Sequence, residues 1–247
     1  MKKVERSKSI IKKTVFRNLF NIVIYYPRMV YMSKHLEKYT YDQTYNFGVK
    51  VIKTVIKNAG VKVKSYGQEN LPKEDGYYLC ANHQEKFDPL AIWATFPGQL
   101  GVILNDAACH RPAIRELCCL IKTQKLIQNN MHSILSSFST VTKELKNGTN
   151  YLVFPEGAYE LEYNKLSQFH SGCFKSPYRA KCPIVPVTIK NSFRIFDKGL
   201  RTTEPIEVHY LKPIYHEEYE NLTTKELAEL VRTRINKEFQ SGKDLFV

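Results

Sequence analysis

A histidine and an aspartate stand five positions apart, directly after a short apolar run. Residues 77–81 (YYLCA) predict a buried strand, and Asn82-His83-Gln84-Glu85-Lys86-Phe87-Asp88-Pro89 follows it. A carboxylate that binds one imidazole nitrogen fixes the tautomer and directs the other nitrogen toward a substrate hydroxyl. His83 is therefore a candidate general base, with Asp88 as the group that orients it. The alternative is a turn histidine, with Asp88 capping a helix whose first turn contains Pro89.

A second carboxylate follows another predicted strand. Residues 151–154 (YLVF) read as a strand, and Pro155, Glu156 and Gly157 come next. Proteins of the α/β class keep their sites where strands end, and glycine permits a close approach that a side chain would block. These three residues are candidate substrate contacts, and a plain turn is the alternative. Residues 183–187 (PIVPV) predict a strand that lacks one ladder hydrogen bond at its inner proline.

Short apolar segments alternate with helical patterns after residue 60. Helical spacing predicts a helix over residues 134–145, closed by Asn147-Gly148, and Thr223 with Glu226 forms a capping box before a second helix. This alternation predicts an α/β layer architecture. The predicted strands are residues 61–64, 77–81, 100–104, 125–128, 151–154, 184–189 and 206–210.

The first 60 residues differ from the remainder in charge. The chain has 247 residues and a net charge of +13, and residues 1–60 hold thirteen basic and three acidic residues, which is +10. Residues 15–26 (VFRNLFNIVIYY) place apolar side chains at helical spacing among basic ones, and Pro27 is expected to stop or kink this helix. The charge-free run is too short to span a bilayer. The pattern predicts an amphipathic helix in the membrane interface. Residues 45–56 place apolar side chains against lysines and predict a second helix. Simple packing of both N-terminal helices on the core is the alternative, and nucleic-acid binding is disfavoured because no nucleic-acid motif is present.

The expected organisation is a basic membrane-association segment over residues 1–60 and an α/β domain over residues 61–247. No secretory signal is recognisable, because charges interrupt the apolar region. The six cysteines form no C-x-x-C pair and the seven histidines show no zinc spacing, so we expect reduced structural thiols and no metal.

The order of the motifs resembles the glycerolipid acyltransferase family, and more narrowly its 1-acylglycerol-3-phosphate (lysophosphatidic acid) acyltransferases. N-H-x-x-x-x-D, F-P-E-G and I-V-P-V occur in this order. Residues 69–72 (ENLP) match a turn common in that family, and residues 169–173 (FHSGC) are similar to its F-K-x-G-A segment. The resemblance covers about residues 61–215.

This resemblance implies a mixed sheet flanked by helices and an O-acyltransferase of phospholipid biosynthesis. His83 would be the general base and Asp88 its partner, and Pro155, Glu156 and Gly157 would line the acceptor site. Acyl-CoA or acyl carrier protein would be the donor and co-substrate, with no cofactor, no metal and no covalent acyl-enzyme. The implied partners are a lyso-lipid acceptor and an anionic membrane surface, with no nucleic acid. The implied place is the cytoplasmic face of the membrane, as a peripheral or monotopic protein.

Two departures concern the acceptor. Where the family has an arginine after F-P-E-G, this chain has Tyr159, and the second motif ends in Gln128-Asn129-Asn130 without its arginine. Lysines are candidate substitutes for these phosphate donors. Lys125 and Lys165 are the two preferred, and Lys122 and Lys175 are further candidates. An acyltransferase for a different hydroxyl acceptor, or a non-catalytic membrane-binding homologue, is the alternative.

Overall fold

A computed structural model describes residues 16–127, 130–157, 166–196 and 204–241. Its centre is a seven-stranded sheet with the strand order β1-β7-β6-β2-β5-β3-β4. The strands are β1 (Val63–Tyr66), β2 (Tyr78–Ala81), β3 (Gly101–Asn105), β4 (Thr123–Leu126), β5 (Tyr151–Val153), β6 (Ile184–Lys190) and β7 (Ile206–Tyr210). Each predicted strand is present, but β1 begins two residues later and β4 two residues earlier than predicted.

Five neighbouring strands end on the same side of the sheet. β6, β2, β5, β3 and β4 are mutually parallel, whereas β7 runs antiparallel to β6 and β1 runs parallel to β7. The sheet is therefore mixed, as the resemblance implies. We call the side where these five strands end the carboxyl end of the sheet. The loops that follow β2, β5 and β6 meet there, which is where open α/β sheets place their sites.

Helices cover both faces of the sheet. They are α1 (Leu19–Lys34), α2 (Tyr41–Ala59), α3 (Asp88–Thr95), α4 (Asp106–Cys109), α5 (Ile114–Leu120), α6 (Met131–Lys146), α7 (Lys175–Ala180), α8 (His216–Tyr219) and α9 (Thr224–Ser241). Along β2, Leu79 and Ala81 face the core under α1, α2, α3 and α5, whereas Tyr78 and Cys80 face the core under α6 and α9. This alternation of side chains produces a three-layer α/β/α fold.

Capping interactions fix the helix ends that the sequence predicts. The Thr223 hydroxyl accepts from the Glu226 backbone N–H at 3.3 Å, and the Glu226 carboxylate accepts from the Thr223 N–H at 2.8 Å. Helix α6 ends at Lys146, just before Asn147. The capping box and the closing Asn-Gly pair are therefore confirmed.

Helices α1 and α2 form an antiparallel pair. The Asn58 amide near the end of α2 donates to the Asn18 side-chain oxygen at 3.1 Å, so the start of α1 lies beside the end of α2. Helix α1 continues through Pro27 to Lys34, so the stop is wrong and the kink, which was the other expected outcome, stays a prediction. Pro27 is exposed, and water can bond the carbonyl oxygen of Val23 that loses its intrahelical partner.

The two helices present opposite kinds of surface. Helix α2 buries Tyr45, Ile52 and Ile56 and exposes Lys50 and Lys53. The start of α1 instead exposes an apolar patch, which we call the α1 patch; its members are Phe16 (77% exposed), Leu19 (54%), Phe20 (74%), Val23 (66%) and Ile24 (49%). No helix in the described part of the chain combines the length and apolar character needed to cross a bilayer.

Candidate active site

Asn82 holds the end of β2 against β6. Its side-chain oxygen accepts from the Ile189 N–H at 2.7 Å, and its amide donates to the Ile189 carbonyl at 3.0 Å. Asn82 is buried, so both bonds lie away from water. These two hydrogen bonds fix the backbone from which the next residue, His83, projects at the carboxyl end of the sheet.

His83 and Asp88 are brought together as a pair. The His83 Nδ1 lies 2.8 Å from the Asp88 Oδ2, and the same oxygen accepts the backbone N–H groups of Gln84 at 2.6 Å and Glu85 at 2.9 Å. The Asp88 side chain is fully buried and that of His83 is 16% exposed. Asp88 thus orients the ring through Nδ1, and Nε2 is the nitrogen placed to exchange a proton with a substrate.

The alternative interpretation of Asp88 is correct only in part. Asp88 is the first residue of α3, and Pro89 lies in its first turn. The N-cap position is Phe87, whose side chain makes no capping hydrogen bond. The Asp88 carboxylate instead turns back to the loop of residues 83–85. The tight turn between His83 and Asp88 therefore positions the imidazole and starts the helix at once.

Glu156 ties the loop after β5 to the loop after β2. Its Oε1 accepts the His83 backbone N–H at 2.7 Å, and its Oε2 accepts the Ser167 N–H at 2.8 Å. Burial raises the pKa of the Glu156 carboxyl, and the two N–H donors partly oppose that rise. The Phe154 ring lies against the His83 ring with centroids 4.4 Å apart. Glu156 thus contacts the His83 backbone, a positioning contact that its type and place alone did not reveal.

Gly157 and Pro155 adjoin a residue to which the sequence analysis assigned no role. Gly157 has φ of +71°, and a Cβ at this position would lie 3.0 Å from Cδ2 and 3.1 Å from Nε2 of His170. The His170 backbone N–H donates to the Pro155 carbonyl at 2.8 Å. His170 therefore lies on the loop that holds His83, and its similarity in position to the lysine of F-K-x-G-A was the available signal.

The candidate lysines lie in different places. Lys125 is exposed on β4, about 14 Å across the sheet from β2 at about 4.8 Å per strand. The pKa of Cys109 is lowered to about 7, chiefly by a hydrogen bond from Cys118 and less by the charge of Lys125. Lys122 precedes β4, at the opposite end of the sheet, and its ammonium donates to the Thr149 hydroxyl at 3.2 Å.

Three predicted positions remain, and only one of them lies within the described residues. Lys165 and Tyr159 lie outside the described residues. Lys175 is exposed at the start of α7. Within the described ranges, no three His, Cys, Asp or Glu side chains group in a way that could hold a metal ion. The arrangement at the carboxyl end is suited to proton transfer by an oriented imidazole.

Comparisons with known proteins agree with this geometry. A protein-family model described as Acyltransferase matches residues 62–190. A 1-acyl-sn-glycerol-3-phosphate acyltransferase of Saccharomyces cerevisiae is 29% identical over 186 residues, which are 71% of this chain and 59% of that protein. A probable 1-acyl-sn-glycerol-3-phosphate acyltransferase of Mycoplasma pneumoniae is 31% identical over 137 residues, 54% of this chain and 51% of that protein. The chain thus spans between half and two thirds of the length of these relatives.

A solved structure has the same fold. The 1-acyl-sn-glycerophosphate (LPA) acyltransferase PlsC of Thermotoga maritima superposes with a TM-score of 0.72 at 18% identity, covering 94% of this chain and 95% of that chain. The family model itself covers more than half of the 247 residues and includes His83, Asp88 and Glu156. The chain belongs to the Acyltransferase family.

Proposed function

We propose that this protein is a membrane-associated O-acyltransferase of phospholipid biosynthesis. It moves a fatty acyl group from acyl-CoA or acyl carrier protein to the hydroxyl of a lysophosphatidic-acid-like glycerolipid. The observation that supports this most directly is the 2.8 Å contact between the His83 Nδ1 and the Asp88 Oδ2, on a loop that Glu156 fixes from the next strand.

The reaction follows from this pair. The acceptor O–H gives its proton to the His83 Nε2 as its oxygen attacks the thioester carbon of the donor. The tetrahedral intermediate collapses, the C–S bond breaks, and the leaving sulfur takes the proton back from the imidazolium. Asp88 stabilises the transient imidazolium charge and keeps the ring oriented. General base catalysis of this kind contributes about 10²- to 10⁴-fold to the rate.

The α1 patch, which we propose contacts the membrane, lies near the carboxyl end of the sheet. The end of α2 leads to Lys62, whose carbonyl accepts the Ile206 N–H at 2.9 Å, and Ile206 begins β7 beside the carboxyl end of β6. The α1 patch therefore lies on the same side of the molecule as His83. An amphipathic surface there would place the base at the level where the hydroxyl of a lyso-lipid lies.

A second exposed apolar group supports this orientation. Helix α6 begins at the carboxyl end of β4, on the face of the sheet opposite α1. The first turns of α6 and Ile127, which directly follows β4, expose what we call the α6 patch, which consists of Ile127 (46% exposed), Met131 (68%) and Leu135 (54%). The two patches flank the carboxyl end, and we place the protein on the cytoplasmic face as a peripheral or monotopic protein.

An acceptor screen tests the proposal. Purified protein is given labelled acyl-CoA or acyl carrier protein with a panel of lyso-lipids, and His83→Ala is compared with His132→Ala, an exposed histidine on α6. We expect transfer to lysophosphatidic acid by the wild type and by His132→Ala, and loss in His83→Ala. Equal turnover in His83→Ala would refute the assignment of the base.

A different hydroxyl acceptor is the second candidate. The observation that favours it is Asn130, at the end of the motif that usually carries an arginine, because its side chain is used to cap α6 by accepting from the Ser133 N–H at 3.0 Å. The same screen separates the candidates, since transfer to an uncharged lipid in preference to lysophosphatidic acid selects the second. A protein that is inactive with the whole panel but binds vesicles would be a non-catalytic homologue.

A further inference from the structure

We infer that Cys109 and Cys118 are a redox-active dithiol that a peroxide closes to a reversible disulfide. The two residues lie on consecutive helices, Cys109 as the last residue of α4 and Cys118 within α5, and both helices belong to the connection between β3 and β4. The proposed acyl transfer uses no thiol of the protein. The dithiol is therefore a site additional to the histidine–aspartate pair, and it does not depend on the proposed function.

The first support is the distance between the two sulfur atoms. The Cys118 thiol donates a hydrogen bond to the Cys109 Sγ, and the sulfurs are 3.4 Å apart. A disulfide bond is about 2.05 Å long, so the sulfurs have to approach each other by about 1.4 Å to form one. Cys109 is 1% exposed and Cys118 is 7% exposed. The two thiols therefore meet in the interior, and a small shift of two short helices is enough to join them.

The second support is the way the two helices are held. Asn105 caps α4: its side-chain oxygen accepts the Ala107 N–H at 3.0 Å, and its backbone carbonyl accepts the Cys109 thiol at 3.7 Å. At the start of α5, the Glu116 carboxylate accepts the Ala113 N–H at 2.8 Å. Both helices thus begin at a capped end, and the sulfurs are in contact before any oxidation takes place.

The third support is the difference between the thiols. The hydrogen bond from Cys118 lowers the pKa of Cys109 to about 7, whereas the same contact and burial raise the pKa of Cys118. For Cys80, Cys173 and Cys182, burial raises the pKa of the thiol. The thiolate is the form that attacks a peroxide. Cys109 is therefore the thiol that is oxidised first, and Cys118 is the one that resolves the product.

The reaction has two balanced steps. The Cys109 thiolate attacks one oxygen of hydrogen peroxide, the O–O bond breaks, and the sulfur becomes a sulfenic acid while the leaving hydroxide takes up the proton that the thiol had released. The Cys118 sulfur then attacks the Cys109 sulfur and loses its proton, the S–O bond breaks, and the hydroxyl leaves with that proton as water. Two thiols and one peroxide have become one disulfide and two waters, so the dithiol is oxidised by two electrons and the peroxide is reduced by two.

A small oxidant reaches the sulfurs through the connection between the helices. Residues 110–113 are exposed and α4 has only four residues, so local opening of this segment breaks few contacts. Cys119 is exposed and directly follows Cys118. A reagent that oxidised thiols by accessibility alone would select Cys119, and this residue therefore provides the control.

Peptide mass spectrometry of the full-length protein tests the inference. The reduced protein, freed of reductant, is treated with hydrogen peroxide, and the remaining thiols are alkylated before digestion. Trypsin cuts after Arg115, so a Cys109–Cys118 disulfide joins two peptides, the second of which also contains Cys119. We expect the joined peptides in the wild type and in Cys119→Ser, and their loss after treatment with dithiothreitol or in Cys118→Ser.

A chemical trap examines the first step separately. In Cys118→Ser the reaction should stop at the sulfenic acid, which dimedone labels at Cys109, and Cys109→Ser should show no such label at Cys118. The wild type and Cys119→Ser decide the question if either of these variants does not fold. Joined peptides that disappear in Cys119→Ser, disulfides between two molecules, or oxidation confined to Cys119 would overturn the inference, and so would a dithiol that stays reduced in excess peroxide.

Discussion

The loops around His83 and the start of α1 are built on opposite principles. Around His83, each contact is short and directional: Asp88 is fully buried and Asn82 and Glu156 are nearly so. Asp88 binds backbone groups of its own loop, Glu156 binds the loop after β2, and Asn82 binds β6. At the start of α1, large apolar side chains are left in contact with water, and Phe16 is 77% exposed. The first region fixes the imidazole of His83 in one position, whereas the second leaves an apolar surface exposed.

Under the proposed function, this difference corresponds to separate tasks for the two regions. A preorganised base has to be rigid within a fraction of an ångström, whereas attachment to a lipid surface needs apolar area without a fixed geometry. Variants of the first region should change turnover and leave vesicle binding intact. Variants of the second should do the reverse, and the predictions below test that separation.

The largest effect is expected for Asp88→Asn. The asparagine oxygen can still accept from the Gln84 and Glu85 N–H groups, so the loop keeps its shape, but the charge that stabilises the His83 imidazolium is lost. We expect kcat to fall by about 10²- to 10⁴-fold. Steady-state kinetics measures this, with circular dichroism and vesicle co-sedimentation as controls. A fall in vesicle binding of the same size would break the separation.

A smaller loss of turnover is expected for Glu156→Gln. Glutamate accepts one N–H at each carboxylate oxygen, from His83 and from Ser167. Glutamine offers one acceptor, and its NH₂ group would face the other N–H. Leaving a buried donor unpaired costs about 1–3 kcal/mol, which corresponds to about tenfold to a hundredfold in kcat/KM. Wild-type kcat/KM in the purified variant would show that Glu156 has no positioning role.

Protonation of the same carboxyl should contribute to the acid limb of activity. Burial raises the pKa of Glu156 above the ordinary 4.5, so protonation and loss of one acceptor begin at a higher pH than for an exposed glutamate. Because the folded state then binds this proton more readily than the unfolded state, the contribution of Glu156 to the free energy of unfolding rises as pH falls through that window. We expect wild-type kcat/KM to decline in that pH window. The Tm of the wild type should not fall relative to the Tm of Glu156→Gln over the same window. An acid limb that is identical in Glu156→Gln would assign it to another group.

Much of the catalytic loop could be predicted because it is local in sequence. His83 and Asp88 are five residues apart, and the strands before them are short apolar runs with clear ends. The joining of His83 to Glu156 depends on β2 and β5 being parallel neighbours, which spacing alone does not determine. Strand direction also separates Lys122 from Lys125. The two lysines are three residues apart in sequence, but Lys122 precedes β4 and lies at the opposite end of the sheet. A stop of α1 at Pro27 was one of two expected outcomes, and it is wrong because the exposed Val23 carbonyl can bond water in place of the missing Pro27 N–H.

The α1 patch should control vesicle binding. Phe20→Asp with Val23→Asp removes apolar area from the exposed side of α1. The matched pair Lys50→Ala with Lys53→Ala removes charge on α2, together with the Lys50 ammonium that lies 5.9 Å from the centroid of the Tyr25 ring. Burying one large apolar side chain contributes about 1.5–3 kcal/mol, so we expect at least about a tenfold weaker partition onto vesicles. Turnover of a detergent-dispersed acceptor should remain at the wild-type level. Partition that depends only on the lysine pair would reduce the α1 patch to an ordinary exposed surface.

The smallest effect is expected at the α6 patch. Met131→Asp and Leu135→Asp change two side chains at the start of α6 that are more than half exposed, so the free energy of unfolding should change little. We expect these substitutions to weaken vesicle partition by a factor of about three to ten. This effect is smaller than that of the α1 substitutions because the α1 patch is larger. The informative form is the double-patch variant, measured by co-sedimentation with anionic vesicles at low and high salt. If the two patches contact one bilayer, the α6 variant should weaken partition both alone and beside the α1 variant, so that the separate factors at least multiply. If the α6 variant changes nothing, the bilayer contacts α1 alone, and the carboxyl end of the sheet is tilted away from the lipid on the α6 side.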